Sequence, residues 1–282
     1  MKVAIIQYST YGHITTFSQS IAEGVKKSGL ASTVDIFQVP ETLSEDVLKL
    51  IHAPGPSKEI PLATTQTLEE YDAFLFGLPT RFGTLPAQWS TFWDTTGSLW
   101  ASGALYHKPV GLYVSTGSPQ GGQEETVRNF FSYVAHHGLV YIPLGYGPAF
   151  PLLTSFDEIH GGSPYGAGTY AGTDGSKQPS ELEKKIAVIQ GEEFSKSASK
   201  IVAATGTSSS SSTTGTATPA AAAAAATAAP AATSTEETTA VGSTTEKEAV
   251  AEKKAPATKR AAQSTPAPKE EKTSTCAKCV IV

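Results

Sequence analysis

Cysteine is almost absent from this chain of 282 residues, which has two cysteines and one methionine. Both cysteines, Cys276 and Cys279, lie among the last seven residues. A disulfide framework and thiol chemistry are therefore excluded for the rest of the chain, and the fold must depend on a hydrophobic core. The six histidines show no spacing with cysteines or carboxylates that is typical of a metal site, so we predict none.

Long apolar runs are also missing. No stretch of 18 large apolar residues occurs, and the apolar run after Lys2 is too short for a secretory signal. We therefore expect a cytoplasmic globular part without a transmembrane helix. The chain has 26 acidic against 21 basic residues, and the acidic excess lies in the first 205 residues, which argues against a nucleic-acid partner.

Aromatic residues are absent after Thr205, because all 11 Phe, 10 Tyr and 3 Trp precede it. The remainder is rich in Ser, Thr, Ala, Pro, Lys and Glu. Such a segment cannot bury enough apolar surface to offset the entropy cost of ordering it. We predict one domain over residues 1–204 and a disordered low-complexity tail over residues 205–282.

Two common nucleotide-binding motifs are missing, since the chain has neither the P-loop pattern nor the Gly-x-Gly-x-x-Gly turn. Instead, an apolar strand at residues 3–6 is followed by a hydroxyl-rich turn and a helical pattern with Phe17, Ile21 and Val25. Backbone N–H groups and a helix N-terminus in such a turn suit the phosphate of a mononucleotide such as FMN. The alternative is an ordinary helix capped by Ser9 or Thr10.

Apolar runs alternate with helical patterns along the first 204 residues. Strands are predicted at 3–6, 33–39, 73–77, 109–114 and 139–142. The first helix is predicted around Phe17, Ile21 and Val25, the other main helices near 41–52, 86–95, 124–138 and 180–203, and a short helical turn at 68–71. This pattern predicts an α/β fold with a five-stranded parallel sheet of order 2-1-3-4-5 and helices on both faces. Residues 97–103 and 145–175 are predicted to be loops. Polar turns follow strand one, strand three (residues 78–83) and strand four (residues 115–124). In this strand order the three turns meet at one edge of the sheet, where such sheets bind ligands.

These motifs together resemble the WrbA family of flavodoxin-like NAD(P)H:quinone oxidoreductases. The matching segments are residues 9–14, 79–83, 97–106, 115–117, 121–124, 135–138 and 161–166. The match covers about residues 1–203, and the layout with a long tail is similar to that of fungal members, the yeast flavodoxin-like proteins among them. The resemblance implies a flavodoxin-like fold, FMN, NAD(P)H as electron donor, a homotetramer or dimer of dimers, and two-electron ping-pong reduction of quinones in oxidative-stress protection.

The resemblance also implies roles for individual residues. The cofactor-binding set comprises Ser9, Thr10, Tyr11, Gly12, His13 and Ile14 around the phosphate, Pro79, Thr80, Arg81, Phe82 and Gly83 at the flavin ring, and Ser115, Thr116, Gly117, Ser118, Gly121 and His136. Tyr11 is expected at the nicotinamide site and Trp100, from a neighbouring subunit, at the quinone site. His136 is expected to protonate the quinone. Pro119 and Gln120 make the third turn one residue longer than is usual in the family, which leaves its contacts with the flavin open.

Each of these roles has a structural alternative. Arg81 could be a solvated loop residue, and Trp100 could belong to the core. His136 and His137 could simply end a helix before Gly138. The alternative function is a membrane-tethered scaffold or regulator with little turnover, and a one-electron flavodoxin carrier is a weaker hypothesis.

The last residues of the tail resemble a lipidation signal. Cys279-Val-Ile-Val282 has the C-a-a-X form of a prenylation site, although valine is an unusual last residue, and Cys276 is placed to take a second lipid. Two lipids anchor a protein stably where one does not. We therefore expect peripheral attachment to a membrane, the plasma membrane being the expected one. An unmodified tail and a weak redox pair are the alternatives.

Overall fold

The computed structural model describes residues 1–206. The predicted tail, including Cys276 and Cys279, lies outside the described residues apart from its first two positions. Within residues 1–206 no helix is both long and apolar enough to cross a membrane.

Six parallel strands form the sheet, in the order β2-β1-β3-β4-β5, with β6 also paired to β4. Their bounds are β1 Lys2–Gln7, β2 Thr33–Gln38, β3 Ala73–Pro79, β4 Pro109–Thr116, β5 Val140–Tyr141 and β6 Gly168–Tyr170. The predicted strand order is therefore confirmed, and it is the flavodoxin-like order. The prediction of only five strands is wrong, because β6 lies within the segment predicted to be a loop.

Eight helices complete the part of the chain that the structure describes, together with a 3-10 turn at Gly147–Ala149. They are α1 His13–Lys27, α2 Glu45–Leu50, α3 Thr65–Glu70, α4 Ala87–Asp94, α5 Gly97–Ser102, α6 Gln123–His137, α7 Phe150–Leu153 and α8 Glu181–Thr205. Ser180 and Glu183 form a capping box at the start of α8, close to the predicted start of this helix. The loop predicted at 97–103 is wrong, because α5 forms a short helix there that ends on a left-handed Gly103.

The strands that carry the polar turns are buried on both faces. Every residue of β3 and β4 is buried, as are all but the first residue of β1. One core cluster, on one face, includes Trp89, Phe76 and Phe130, and the other includes Phe17, Ile21 and Phe194. Continuous apolar runs are typical of strands covered by helices on both sides, which explains why simple runs predicted them well.

The strand β6 fills an edge of β4 that β5 leaves open. β5 pairs only with Pro109 and Val110 at the start of β4, whereas β6 pairs with Val114 to Thr116 at its end. Only three residues long and surrounded by glycines, β6 has no pattern that would predict a strand. Its position matters because it brings the chain that follows it to the carboxyl edge of the sheet.

Helices α1 and α8 approach each other closely through two glycines. A Cβ atom placed on Gly191 would lie 2.2 Å from the carbonyl oxygen of Ile21, and one on Gly24 would lie 2.0 Å from that of Val188. Both obstacles are backbone atoms, so a side chain could be accommodated only by moving the helices apart. This contact fixes the position of α1, whose first turn faces the site described below.

We predict that Gly191→Ala lowers the free energy of unfolding by about 1–3 kcal/mol, because the added methyl group overpacks a backbone contact. The matched control is Gly97→Ala at the start of α5, where an added methyl group would have no other atom within 4 Å. That change should be neutral or slightly stabilising. Urea unfolding followed by circular dichroism measures both, and equal stability of the two variants would contradict the packing argument.

Candidate active site

A cavity of about 830 Å³ opens at the carboxyl edge of the sheet, a volume within the usual range for cofactor sites. Its walls are the turns after β1, β3 and β4, which the strand order brings together, and a fourth segment after β6. From the predicted set, the lining residues are Ser9, Thr10, Tyr11, His13, Pro79, Thr80, Arg81, Phe82, Ser115, Thr116 and Gly117. Gly12, Ile14, Gly83, Ser118, Gly121, His136 and Trp100 do not line it within one chain.

The first turn leaves the N-terminus of α1 without a side-chain cap. Its N-cap residue is Gly12, with a left-handed φ of 91°, and the Ser9 hydroxyl accepts a bond from the Gly12 N–H (3.0 Å) instead of from a helix N–H. The interpretation of Ser9 or Thr10 as ordinary caps is therefore wrong. A helix start without such a cap has N–H groups free to bind an anion. Ile14 is buried in the core, so only its backbone can contribute.

His13 is the second unusual feature of this turn. The side chain lines the cavity, is only 6% exposed, and its Nε2 atom has no hydrogen-bond partner. Buried polar atoms are almost always paired, so Nε2 of His13 is a hydrogen-bonding atom that the protein itself leaves unused. A proton on Nε2 would let His13 donate to an anion at the start of α1.

The second turn is a tight reversal with strained backbone. Arg81 and Thr84 exchange both backbone hydrogen bonds, and the two residues between them, Phe82 and Gly83, have φ values of 52° and 74°. Positive φ is costly for phenylalanine, and such strain is concentrated at binding sites. The turn holds the Phe82 ring fully exposed to solvent.

Arg81 links the first two turns. Its Nη2 donates to the Thr10 hydroxyl (2.7 Å) and its Nη1 to the Thr80 carbonyl (3.0 Å). The side chain is half-buried and lines the cavity. The alternative of a solvated loop arginine is therefore wrong, because the guanidinium is bound by the protein on both of its terminal nitrogens. It places a permanent positive charge beside the uncapped helix.

The third turn folds back on itself after Gly117. The Thr116 hydroxyl and the Gly121 N–H both donate to the Ser118 carbonyl, at 2.9 and 3.0 Å. A Cβ on Gly121 would lie 2.8 Å from the Thr116 Cβ, so glycine is needed for this close approach. Of the residues in this turn, only Ser115, Thr116 and Gly117 line the cavity. Residues 118–121, which include the additional residue, do not line it.

A fourth wall of the cavity comes from residues 171–175, which the sequence did not predict. They follow β6 directly, and they are Ala171, Gly172, Thr173, Asp174 and Gly175. The Asp174 carboxylate accepts bonds from the Ser176 N–H and hydroxyl, and these bonds lower its pKa. The Gly-Thr-Asp-Gly composition signalled a turn, but only recognition of β6 would have placed it at this edge.

A second group missed from the sequence is the network of Tyr8, Glu41 and Gln88. Glu41 accepts bonds from the Tyr8 hydroxyl (2.8 Å) and the Gln88 amide (2.7 Å), and Tyr8 and Gln88 line the cavity. Burial raises the pKa of Tyr8 to about 12. Burial opposes ionisation of Glu41, but hydrogen bonds from Leu43, Gln88 and Tyr8 hold the pKa of Glu41 below its ordinary value. This side of the cavity therefore carries a negative charge with satisfied hydrogen bonds.

Trp100 and His136 lie away from the cavity of their own chain. Helix α6 begins at the carboxyl edge and has 15 residues, so His136 in its last turn lies roughly 20 Å from that edge. Trp100 on α5 is 60% exposed, so the alternative that Trp100 belongs to the core is wrong.

His137 joins the end of α6 to the start of α5. The Thr96 hydroxyl, directly before α5, contacts His137 Nε2 at 3.0 Å. Burial, with the neighbouring His136, lowers the pKa of His137.

The residues present fit a flat cofactor that carries a phosphate. The uncapped start of α1, the unpaired Nε2 of His13 and the Thr10 and Ser9 hydroxyls supply donors for an anion. The Arg81 charge and the strained, exposed Phe82 ring stand at the adjoining turn. FMN has both of the required parts, an anionic phosphate and a planar ring, and the cavity is large enough for it.

The comparisons with known proteins agree with this fit. Residues 1–147 match the family described as NADPH-dependent FMN reductase. An NAD(P)H quinone oxidoreductase of Candida albicans, YCP4, is 60% identical over 202 residues, covering 72% of this chain and 69% of that protein. A second from the same organism, PST3, is 57% identical over 199 residues, covering 71% and 98%. Protoplast secreted protein 2 of Saccharomyces cerevisiae is 51% identical over 199 residues, covering 71% and 98%. This chain belongs to the NADPH-dependent FMN reductase family.

Proposed function

We propose that this chain is an FMN-dependent NAD(P)H:quinone oxidoreductase. The observation that carries the proposal is the unpaired, buried Nε2 of His13 at the uncapped start of α1, inside a cavity that four turns enclose. The family membership and the names of the relatives support the same activity. FMN, held in this cavity, would supply the chemistry for hydride transfer from NAD(P)H to a quinone.

The chain's own residues hold and orient the phosphate end. The first-turn N–H groups of α1 point at the anion and the helix dipole favours negative charge there. His13 donates from Nε2, and the Thr10 hydroxyl is fixed by the Arg81 guanidinium. Because these donors are arranged before the ligand arrives, binding costs little rearrangement of the protein.

The same residues make the cavity suitable for redox chemistry. Arg81 holds a fixed positive charge in the cavity wall, and a charge fixed in advance would stabilise negative charge on a bound cofactor without reorganisation. Tyr11 is half-exposed at the rim, where its hydroxyl donates to the Ile51 carbonyl (3.0 Å), and its ring gives a flat surface for the nicotinamide. Donor and acceptor must enter this one opening in turn, which gives ping-pong kinetics.

We also propose that the chain assembles as a homotetramer or dimer of dimers. Trp100 and Tyr106 are 60% and 59% exposed, and Gly138, two residues after His136, packs against the Tyr106 ring, so one end of the molecule carries an aromatic surface. Large exposed aromatic side chains in one place are typical of interfaces. This surface would bring Trp100 and His136 to the cavity of a neighbouring copy, for quinone binding and proton donation. Light scattering tests the assembly, and a mass of 29.4 kDa would contradict it.

Membrane attachment through the two cysteines is a separate proposal. The Cys279–Val282 sequence supports prenylation where it forms the carboxyl terminus of the mature chain, and Cys276 supports a second lipid. Such a chain would be cytoplasmic and peripheral on a membrane. The intact mass of the protein isolated from its own cells would show an added lipid, and an unmodified mass would remove the proposal.

We predict that His13→Leu weakens FMN binding by about ten- to a hundredfold, because a hydrogen bond to a charged group is lost. Binding of riboflavin, which lacks the phosphate, should be unchanged. Quenching of flavin fluorescence measures both affinities. A similar loss for the two flavins would show that His13 acts on the ring or on folding rather than on the phosphate.

The proposed activity itself is tested by following the flavin absorbance of the FMN-loaded protein without oxygen. NADH or NADPH should bleach the absorbance, and benzoquinone should then restore it. Steady-state rates should give parallel lines in double-reciprocal plots, as expected for ping-pong kinetics. FMN that binds without bleaching would overturn the enzyme proposal in favour of a scaffold or regulator.

A further inference from the structure

The most heavily hydrogen-bonded side chain in the described part of the chain is not in the cavity. Glu183, in the first turn of α8, is completely buried. Its carboxylate accepts five hydrogen bonds, from the N–H groups of Gly161 (2.9 Å), Tyr170 (3.2 Å) and Ser180 (2.9 Å), the Thr169 hydroxyl (2.8 Å) and Lys177 Nζ (3.1 Å).

These five donors bracket the fourth wall of the cavity. Thr169 and Tyr170 belong to β6, directly before residues 171–175, and Lys177 follows them. The Lys177 N–H also bonds the Ala171 carbonyl (2.9 Å), which closes the loop between its two ends. Glu183 therefore holds both ends of a loop whose middle lines the cavity.

We propose that Glu183 is a positioning residue of the cofactor site, which holds loop 171–177 in the shape that accepts FMN. The inference rests on the proposed function and extends it to a residue that does not itself line the cavity. A loop that is fixed before binding loses less conformational freedom when the ligand arrives. If only a fraction of the molecules has the binding-competent loop, the apparent affinity falls by that fraction.

A carboxylate is needed at this position because every partner is a donor. An ionised carboxylate only accepts hydrogen bonds, whereas an amide presents two N–H donors on one of its two positions. In Glu183→Gln, whichever position carries nitrogen meets at least one backbone N–H that has lost its acceptor. Glu183→Gln therefore removes hydrogen bonds at the ends of loop 171–177 while it leaves the volume of the side chain almost unchanged.

Gln190 supplies a matched control on the same helix. It lies seven residues after Glu183 and is also buried, with its amide donating to the Leu112 carbonyl (2.8 Å) and accepting from the Ala167 N–H (2.9 Å). It secures the same glycine-rich segment to the sheet, but its partners do not line the cavity. Gln190→Met removes both bonds at similar volume.

The experiment compares Glu183→Gln and Gln190→Met in the full chain. Urea unfolding of the protein without FMN should show both variants destabilised. FMN affinity, from fluorescence quenching, should fall by about tenfold or more in Glu183→Gln and by less than about twofold in Gln190→Met. Trypsin should cut after Lys177 faster in Glu183→Gln than in the parent, and saturating FMN should suppress the difference.

Equal FMN affinity of the parent and Glu183→Gln would overturn the inference. An equal loss of FMN affinity in Glu183→Gln and Gln190→Met would also overturn it, because affinity would then simply follow the stability of the protein. If Glu183→Gln does not fold, Lys177→Met decides, since Lys177 is partly exposed and supplies one of the five bonds. Weaker FMN binding in it supports the inference, and unchanged binding overturns it. Absence of FMN binding by the parent chain would instead overturn the proposed function on which the inference rests.

Discussion

The outer edge of β4 is divided between two short strands, and the cavity depends on that division. β5 pairs with the first two residues of β4 and β6 with the last three. Between them the Leu112 carbonyl would lack a strand partner, and the Gln190 amide bonds it instead. Buried backbone groups must be paired, so this side chain makes the interruption tolerable. The interruption in turn lets the chain leave the sheet and return at its carboxyl edge with the fourth wall of the cavity.

Helix α8 has an organising role although none of its residues lines the cavity. Its Gly191 lets it approach α1, whose first turn forms the predicted phosphate site. Its Glu183 holds both ends of the loop that forms the fourth wall, whereas its Gln190 bonds Ala167 and Leu112, which do not line the cavity. One helix therefore sets the positions of two opposite parts of the cavity, one by close packing and the other by buried hydrogen bonds.

The proposed phosphate site has no lysine among the residues that line the cavity, in a protein that is acidic overall. Its donors are the N–H groups of an uncapped helix, hydroxyl groups and His13, with Arg81 as the permanent positive charge. Arg81 is tied to the Thr10 hydroxyl and so cannot move freely. The Glu41 carboxylate does not line the cavity and is hydrogen-bonded by Tyr8 and Gln88, which do.

The sequence determined the parts of this protein that depend on local pattern. Continuous apolar runs identified β1, β3 and β4, because strands buried on both faces need them, and the turns that follow them carried motifs specific enough to name the family. It did not reveal β6, which is three residues long and is held by pairing with the sequence-distant β4 and by Glu183 of the following helix. It also misread α5 as a loop, since Gly97 and Gly103 mark its two ends. Tertiary structure alone decided that residues 171–175 join the cavity, because the preceding strand β6 reaches the carboxyl edge of the sheet only by pairing with β4. These two strands are distant in sequence, and no local pattern records such a contact.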